Sequence, residues 1–374
     1  MRVLHVISDT NIGGAGVLLC SLLNNFDRSR VQSIVALPEG SELSPRIRAL
    51  ETPIHPLNVS PDRISYTSIS ELSRLIRSAQ VDLVHTNAAL SARVAARFCH
   101  VPVLHTRHCC FPPSGILRVP PIRFLSGLCN RALSDHVIAT ASAAVRDLTA
   151  LGIPTHRISC IINGSEEARV VSTAEKHAFL SRWGLRESDF MIGIVARLVP
   201  CKGHDIFLHA AREAMDRMPE KQFRFLIVGD GEQRAALERL TRELMLTEQV
   251  RFLGFQADVA PVWSVLRLNV NCSRGTETSC LALSEGMSAG VPMVVSDYGG
   301  NPAMLGENGV AGFLCPAESS TAFADAFCRI AASPLLEAGM RTAAKDRFLS
   351  HYTARGMTER VMELYDEILA TYKK

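Results

Sequence analysis

The chain has 374 residues, with 40 lysines and arginines against 37 aspartates and glutamates, for a formal net charge of +3. That length suits two domains, each large enough to bury a substantial core, and the near-balanced charge argues against bulk nucleic-acid binding. Eleven cysteines, scattered through apolar runs without paired zinc spacing, point to reduced, mostly buried thiols in a cytoplasmic protein. The adjacent Cys109 and Cys110 read as two packed thiols, since neighbours bridge each other poorly.

The amino terminus lacks the charged, apolar and small-residue succession of a signal peptide, and no run approaches the length of a membrane span. It reads instead as a buried parallel strand over residues 3–8, opening into the glycine run Gly13-Gly14-Ala15-Gly16. Short apolar or β-branched runs follow at 33–37, 83–86, 101–106, 136–140 and 158–162, with helical periodicity between most of them. This predicts a doubly wound α/β domain. Residues 164–188, polar at their start, read as a linker and a leading helix. A second series at 191–196, 223–228, 250–253, 268–272 and 293–296 predicts a second domain of the same kind, and tail helices follow Ser319.

Chemistry concentrates where strands end. The strand at 191–196 runs into Arg197-Leu-Val-Pro-Cys-Lys202-Gly203, which puts two cations at a carboxyl end, where open parallel sheets bind ligands. Arginine forks onto two phosphate oxygens and lysine acts as a mobile point charge, so a pyrophosphate suits this pair. Further on, Glu277 and Glu285 stand with seven residues between them. The spacing places Glu277 in a strand-to-helix loop and Glu285 nearly two turns into a helix over 279–289, so that one carboxylate meets each end of a sugar nucleotide while the helix-start amides face its diphosphate. Either pair alone is weak evidence; a capped helix and a solvated basic loop account for each separately.

The glycine run is not a dinucleotide fingerprint. Its spacing differs from Gly-x-Gly-x-x-Gly, and the second strand ends in Leu37-Pro38-Glu39, where the acid is a poor ribose ligand. No Asp-x-Asp cluster in strand and loop context marks a magnesium site, so neither a metal nor another cofactor is expected.

Taken together, Arg197 to Gly203, Glu277 to Glu285, and Gly290-Val-Pro-Met-Val-Val-Ser-Asp-Tyr-Gly-Gly300 resemble the donor half of the retaining glycosyltransferases of family 4. The glycine run, Thr106-Arg107-His108 and Ile162-Asn163-Gly164 continue the likeness in the family's order, over nearly the whole chain. The resemblance implies the GT-B architecture: two doubly wound Rossmann-like domains facing across a cleft. An acceptor domain would span 1–168, a nucleotide-sugar domain 169–352, and a last helix over 353–374 would return to the first domain. It implies catalytic contacts from His108, Arg197, Lys202 and Glu277, with His105 a competing histidine and His85 a weaker one. Donor contacts would come from Gly14, Gly16, Arg197, Lys202, Phe255, Glu277, Thr278, Ser279, Cys280, Leu281 and Glu285. Glu277 would orient sugar hydroxyls and Glu285 the ribose, neither acting as a general base, and the leaving phosphate would help take the acceptor's proton.

Two departures bear on the donor. An acid commonly found soon after the paired glycines is replaced by Asn301-Pro-Ala303-Met, and Ser279 and Cys280 stand where the family has glycine and an aromatic residue. A UDP-sugar is the first expectation and GDP-mannose the next. The acceptor is expected to be a glycan or lipid-linked, because Arg93, Arg97, Arg107, Arg118, Arg123 and Arg131 interleave with apolar residues across 93–131 in a pattern suited to an anionic membrane. Three classes stay open: a transferase building a surface glycan such as lipopolysaccharide or capsule, a sugar-nucleotide isomerase of the same shape, and a silent sugar-nucleotide-binding protein.

Overall fold

The computed structural model describes residues 1–372 apart from 11, 59, 88, 109–114, 116–118, 276 and 307–308. Cys109 and Cys110 therefore lie outside the described residues. The chain divides into two compact units, one of Met1–Ser165 with Ala354–Lys374 and one of Glu166–Thr353.

The first unit is built on seven parallel strands: β1 (Arg2–Ile7), β2 (Gln32–Pro38), β3 (Ile54–Leu57), β4 (Leu83–Asn87), β5 (Val103–Arg107), β6 (His136–Ala139) and β7 (Ile158–Cys160). Their order is β3-β2-β1-β4-β5-β6-β7. Helices cover both faces of the sheet, so the interior strands are mostly buried, and polar residues they carry, His5, His85, Thr86 and Thr106, are buried with them. The helix Ala354–Tyr372 belongs to this unit and packs against Gly14–Asn25. Its buried stripe of Met357, Val361, Leu364, Tyr365 and Ile368 follows helical spacing, and each large apolar side chain so buried contributes roughly 1.5–3 kcal/mol. The Tyr365 hydroxyl, fully enclosed, lies 2.7 Å from His85 Nδ1.

The second unit repeats the plan with six parallel strands: β8 (Phe190–Val195), β9 (Phe223–Val228), β10 (Val250–Gly254), β11 (Leu268–Asn271), β12 (Met293–Ser296) and β13 (Gly312–Cys315), in the order β10-β9-β8-β11-β12-β13. It is entered through the helix Thr173–Trp183, which starts in a capping box of Ser172 and Glu175 and ends at the left-handed Gly184.

Two strands go beyond the sequence expectation, and both lie at sheet edges. In β3, Pro56 interrupts the run and cannot donate to a ladder, a restriction that an edge tolerates. β13 is four residues long and begins with glycine, too short to signal itself. In each sheet the winding reverses between two central neighbours, β1 and β4 in one and β8 and β11 in the other. A crevice opens outside the carboxyl ends at such a reversal.

Candidate functional site

In the second unit the reversal brings together the two loops singled out in the sequence. After β8 the chain passes Arg197, makes a short 3-10 turn over Pro200–Lys202 and enters the helix His204–Arg217 through Gly203 at φ +67°. A Cβ at Gly203 would overlap the carbonyl oxygen of Cys272, so only glycine lets the turn lie against the end of β11. Arg274 fastens the loops: its guanidinium meets both Asp205 carboxylate oxygens at 3.1 Å and the Pro200 carbonyl at 3.2 Å.

This geometry sets Lys202 Nζ 2.6 Å from Glu277 Oε2, with both side chains largely buried. The same oxygen accepts from Ser273 Oγ at 2.7 Å and Asn271 Nδ2 at 3.3 Å. Among the described residues, Oε1 accepts no hydrogen bond. Burial works against both charges, but mutual attraction prevails. The Lys202 ammonium titrates above its ordinary value, and Glu277, further helped by Ser273 and Asn271, below its own. Gly299, at φ +60°, lets the loop after β12 lie against the Glu277 carbonyl, which a Cβ there would overlap.

Behind Glu277 lies a polar network that sequence reasoning missed. Asn271 Oδ1 accepts from the Ser273 amide at 2.9 Å and from Asn301 Nδ2 at 3.3 Å. Asn301 Nδ2 also donates to Ser296 Oγ at 3.1 Å, and Ser296 Oγ donates to the Ser273 carbonyl at 2.6 Å. All four residues are buried. A signal was present: Asn269 and Asn271 interrupt an otherwise apolar interior strand, where a polar side chain must find a partner. Asn269 finds the Ala282 carbonyl at 2.8 Å.

The helix Leu281–Ser288 begins beside this cluster. Cys280, Ala282 and Leu283 line a small concavity with Lys202, Asn271 and Ser273 at the carboxyl edge of β8 and β11. Thr278 and Ser279 are buried. The Cys280 thiol is pushed up to about 12 by burial and then by the Glu277 charge, so it stays protonated. Glu285 lies within the helix, its carboxyl raised to about 7 by burial, and no described residue bonds to it. Arg197 is exposed, with no side-chain partner among the described residues. Phe255 follows the edge strand β10 with its ring exposed, away from the β8–β11 reversal.

The first unit holds the remaining candidates. Gly14 begins its helix exposed, whereas Gly16 is buried against Leu43, which a Cβ would overlap. His108 follows β5 directly, and its Nε2 lies 2.7 Å from Asn87 Oδ1 at the end of β4. His85 is tied to Tyr365 and to Thr106 Oγ1, each at 2.7 Å, and His105 Nδ1 lies 3.2 Å from Thr86 Oγ1. Burial lowers all three histidines, His108 to about 4 and His105 to about 3. Two of the six arginines expected on a membrane face turn inward: Arg93 bonds Asn130 Oδ1 at 3.0 Å, and Arg97 pairs with Asp135 at 2.9 Å. Among the described residues, no three His, Cys, Asp or Glu side chains cluster as a metal site, and no helix is long and apolar enough to cross a membrane.

Two switch-point sheets, with cations and carboxylates gathered at one of them, describe a nucleotide-binding enzyme of the doubly wound class, and known proteins of that shape sharpen the description. The family model described as Glycosyltransferase Family 4 matches residues 12–169, and that described as Glycosyl transferases group 1 matches 189–333. The chain belongs to this family and is a glycosyltransferase of the GT-B fold. It is 24% identical to the UDP-Gal:alpha-D-GlcNAc-diphosphoundecaprenol alpha-1,3-galactosyltransferase of Escherichia coli, over 95% of this chain and 97% of that one. It is 27% identical to the D-inositol 3-phosphate glycosyltransferase of Rhodococcus erythropolis, over 74% of this chain and 66% of the relative. Among solved structures, Anabaena Alr3699/HepE in complex with UDP shares the fold with a TM-score of 0.84 at 21% identity, covering 98% of this chain and 100% of that one.

Proposed function

We propose that the protein is a retaining, metal-independent glycosyltransferase. It would move a sugar from a nucleotide diphosphate sugar, a UDP-sugar first, to a glycan or lipid-linked acceptor in surface polysaccharide synthesis. The observation that carries this reading is the buried Lys202–Glu277 pair at the β8–β11 reversal, beside the start of the helix that bears Glu285. The bond from the anomeric carbon to the phosphate oxygen breaks, and negative charge grows on the departing diphosphate. Lys202 and the exposed Arg197 compensate that charge more strongly as it develops, which lowers the barrier and supplies without a metal the charge a cation would otherwise bring. The acceptor hydroxyl attacks from the leaving-group side and passes its proton to the leaving phosphate. Glu277, fixed through Oε2, presents Oε1 to the hydroxyls of the transferred sugar, and Glu285 accepts from the ribose.

The names of the relatives favour the same donor and acceptor classes. The Escherichia coli enzyme is named for UDP-Gal and a diphosphoundecaprenol acceptor, and Alr3699/HepE was solved with UDP-glucose. A lipid-carried acceptor also fits the helix Pro120–Leu133. Only Gly127 is buried there, pressed against Leu151 and Gly152, while Phe124, Leu125 and Leu128 face outward. Residues 83–134 contain no acid, and Arg123 is exposed beside the apolar stripe. We place this face on an anionic membrane, at the inner surface of the cytoplasmic membrane.

Thermal stabilisation by a panel of nucleotides and nucleotide sugars, with and without magnesium, tests the donor assignment, because a ligand that binds only the folded state raises the midpoint. A metal-independent rise with one diphosphate nucleotide is expected. Stabilisation by nicotinamide dinucleotides alone overturns the reading.

A further inference from the structure

The polar network behind Glu277 has a direction, and two backbone groups of Ser273 set it. The Ser273 N–H only donates, so the Asn271 side-chain atom 2.9 Å away is its oxygen, and Nδ2 of that amide turns towards Glu277 Oε2 at 3.3 Å. The Ser273 carbonyl only accepts, so Ser296 Oγ spends its hydrogen there, at 2.6 Å, and is left to accept. Asn301 meets both acceptors with one group: its Nδ2 donates to Asn271 Oδ1 at 3.3 Å and to Ser296 Oγ at 3.1 Å. Asn301 is fully buried, and its own Oδ1 has no partner among the described residues. Turning the amide over would set that oxygen against two acceptors, so the unpaired oxygen is the less costly arrangement.

We propose that Asn301 is a positioning residue for Glu277: by donating to Asn271 Oδ1 it holds the Asn271 amide with Nδ2 on the carboxylate, so that Glu277 keeps one orientation. The inference rests on the reading of Glu277 as the contact to the transferred sugar, and it assigns the device that sets that contact. Asn271 ends β11, Ser296 ends the neighbouring strand β12, and Asn301 opens the short helix Asn301–Leu305 beyond it. The carboxylate is thereby held by two paired strands and not by its own loop alone. The stretch that the sequence marks as lacking an acid acts on the sugar end all the same, through Asn271 and without a charge of its own.

Asn301→Asp tests the proposal, because it keeps the shape of the side chain and replaces the donor with an oxygen. That oxygen faces Asn271 Oδ1, and an Asn271 amide turned to relieve the contact presents its own oxygen to Glu277. Binding of UDP, UDP-glucose and UDP-galactose to the full chain is measured by calorimetry for the parent, Asn301→Asp, Asn301→Ala and Glu277→Gln. The Kd for UDP is expected to stay within about twofold, while the Kd for the UDP-sugar the parent prefers rises about tenfold in Asn301→Asp, the scale of one hydrogen bond. The rise is smaller in Asn301→Ala, where the Ser273 amide still holds Asn271. With Glu277→Gln losing UDP-sugar affinity, an equal loss for UDP and UDP-sugar in Asn301→Asp, or no loss for either, overturns the proposal. Urea unfolding supplies a readout independent of the donor: Asn301→Ala is expected to lower the midpoint less in a Glu277→Gln background than in the parent, and equal shifts overturn the coupling. A Glu277→Gln protein that binds UDP-sugar as the parent does, with unequal midpoint shifts, instead overturns the reading of Glu277 as the sugar contact. A parent that binds none of the three nucleotides overturns the donor reading, and the urea shifts then decide the proposal. Should Asn301→Asp fail to fold, Asn301→Ala carries both measurements.

Discussion

Lys202 and Glu277, 75 residues apart in sequence, meet at 2.6 Å with both side chains largely buried, so each charge is held in place by the other. Sequence reasoning assigned them to different groups of one ligand, the lysine to its diphosphate and the glutamate to its sugar. The structure ties them into one unit. A diphosphate that approaches Lys202 therefore also acts on the orientation of Glu277.

Lys202→Ala strands a buried carboxylate that keeps only Ser273 and Asn271 as donors. Removing one partner of a buried pair costs about 3 kcal/mol, more than replacing both. Urea unfolding is expected to show Lys202→Ala destabilised by that order and the double variant Lys202→Ala/Glu277→Gln recovering part of it. Both lose nucleotide-sugar stabilisation. A double variant less stable than Lys202→Ala alone contradicts the pairing.

Glu285 gives a stability–pH dependence of definite sign. Its folded value, about 7, lies above the ordinary 4.5, so between these values the native state binds more protons than the unfolded chain. Stability is then highest below about 4.5 and falls as pH rises towards 7, by at most about 3 kcal/mol from this group. The slope between pH 5 and 7 should flatten in Glu285→Gln, measured by urea midpoints; an unchanged slope speaks against a buried, unpartnered carboxyl.

Gly203→Ala meets two obstacles at once, a left-handed backbone and the Cys272 carbonyl. Strain of this kind costs about 1–3 kcal/mol before any clash is relieved. Because Gly203 follows Lys202 directly, the variant is expected to weaken donor binding more than its loss of melting temperature suggests. Gly339→Ala, at an exposed position with open space around it and outside the site, serves as the control.

Phe124→Ser combined with Leu128→Ser removes apolar surface that contributes nothing to the core. Sedimentation with anionic vesicles should fall severalfold relative to the parent, with thermal stabilisation by the donor unchanged. Raising the salt should weaken the parent's binding, since exposed arginines are screened. Absence of binding by the parent ends the membrane assignment.

The two doubly wound domains were readable because buried parallel strands announce themselves as apolar runs of four to eight residues. The edge strands at Ile54 and Gly312 were not, since an edge tolerates proline and a short run. The cations and carboxylates at 197, 202, 277 and 285 stood out by spacing. Their pairing did not, because which charge meets which is decided by the order of β8 and β11 in the sheet. Asn301 shows the same limit. Its sequence neighbours marked only a missing acid, whereas its partners, Asn271 and Ser296, stand at the ends of β11 and β12. Likewise, Arg93 and Arg97 read as surface cations until Asn130 and Asp135 were placed beside them.

The helix Ala354–Tyr372 has a consequence for the order of biosynthesis. Tyr365 closes on His85 across 280 positions, and the same helix walls the core of the first unit. While the ribosome is still translating the second unit, the first lacks that wall and exposes Phe26, Leu22 and their neighbours. The half made first is thus finished last, and a nascent chain stalled anywhere before residue 368 carries an open apolar seam for a chaperone to find.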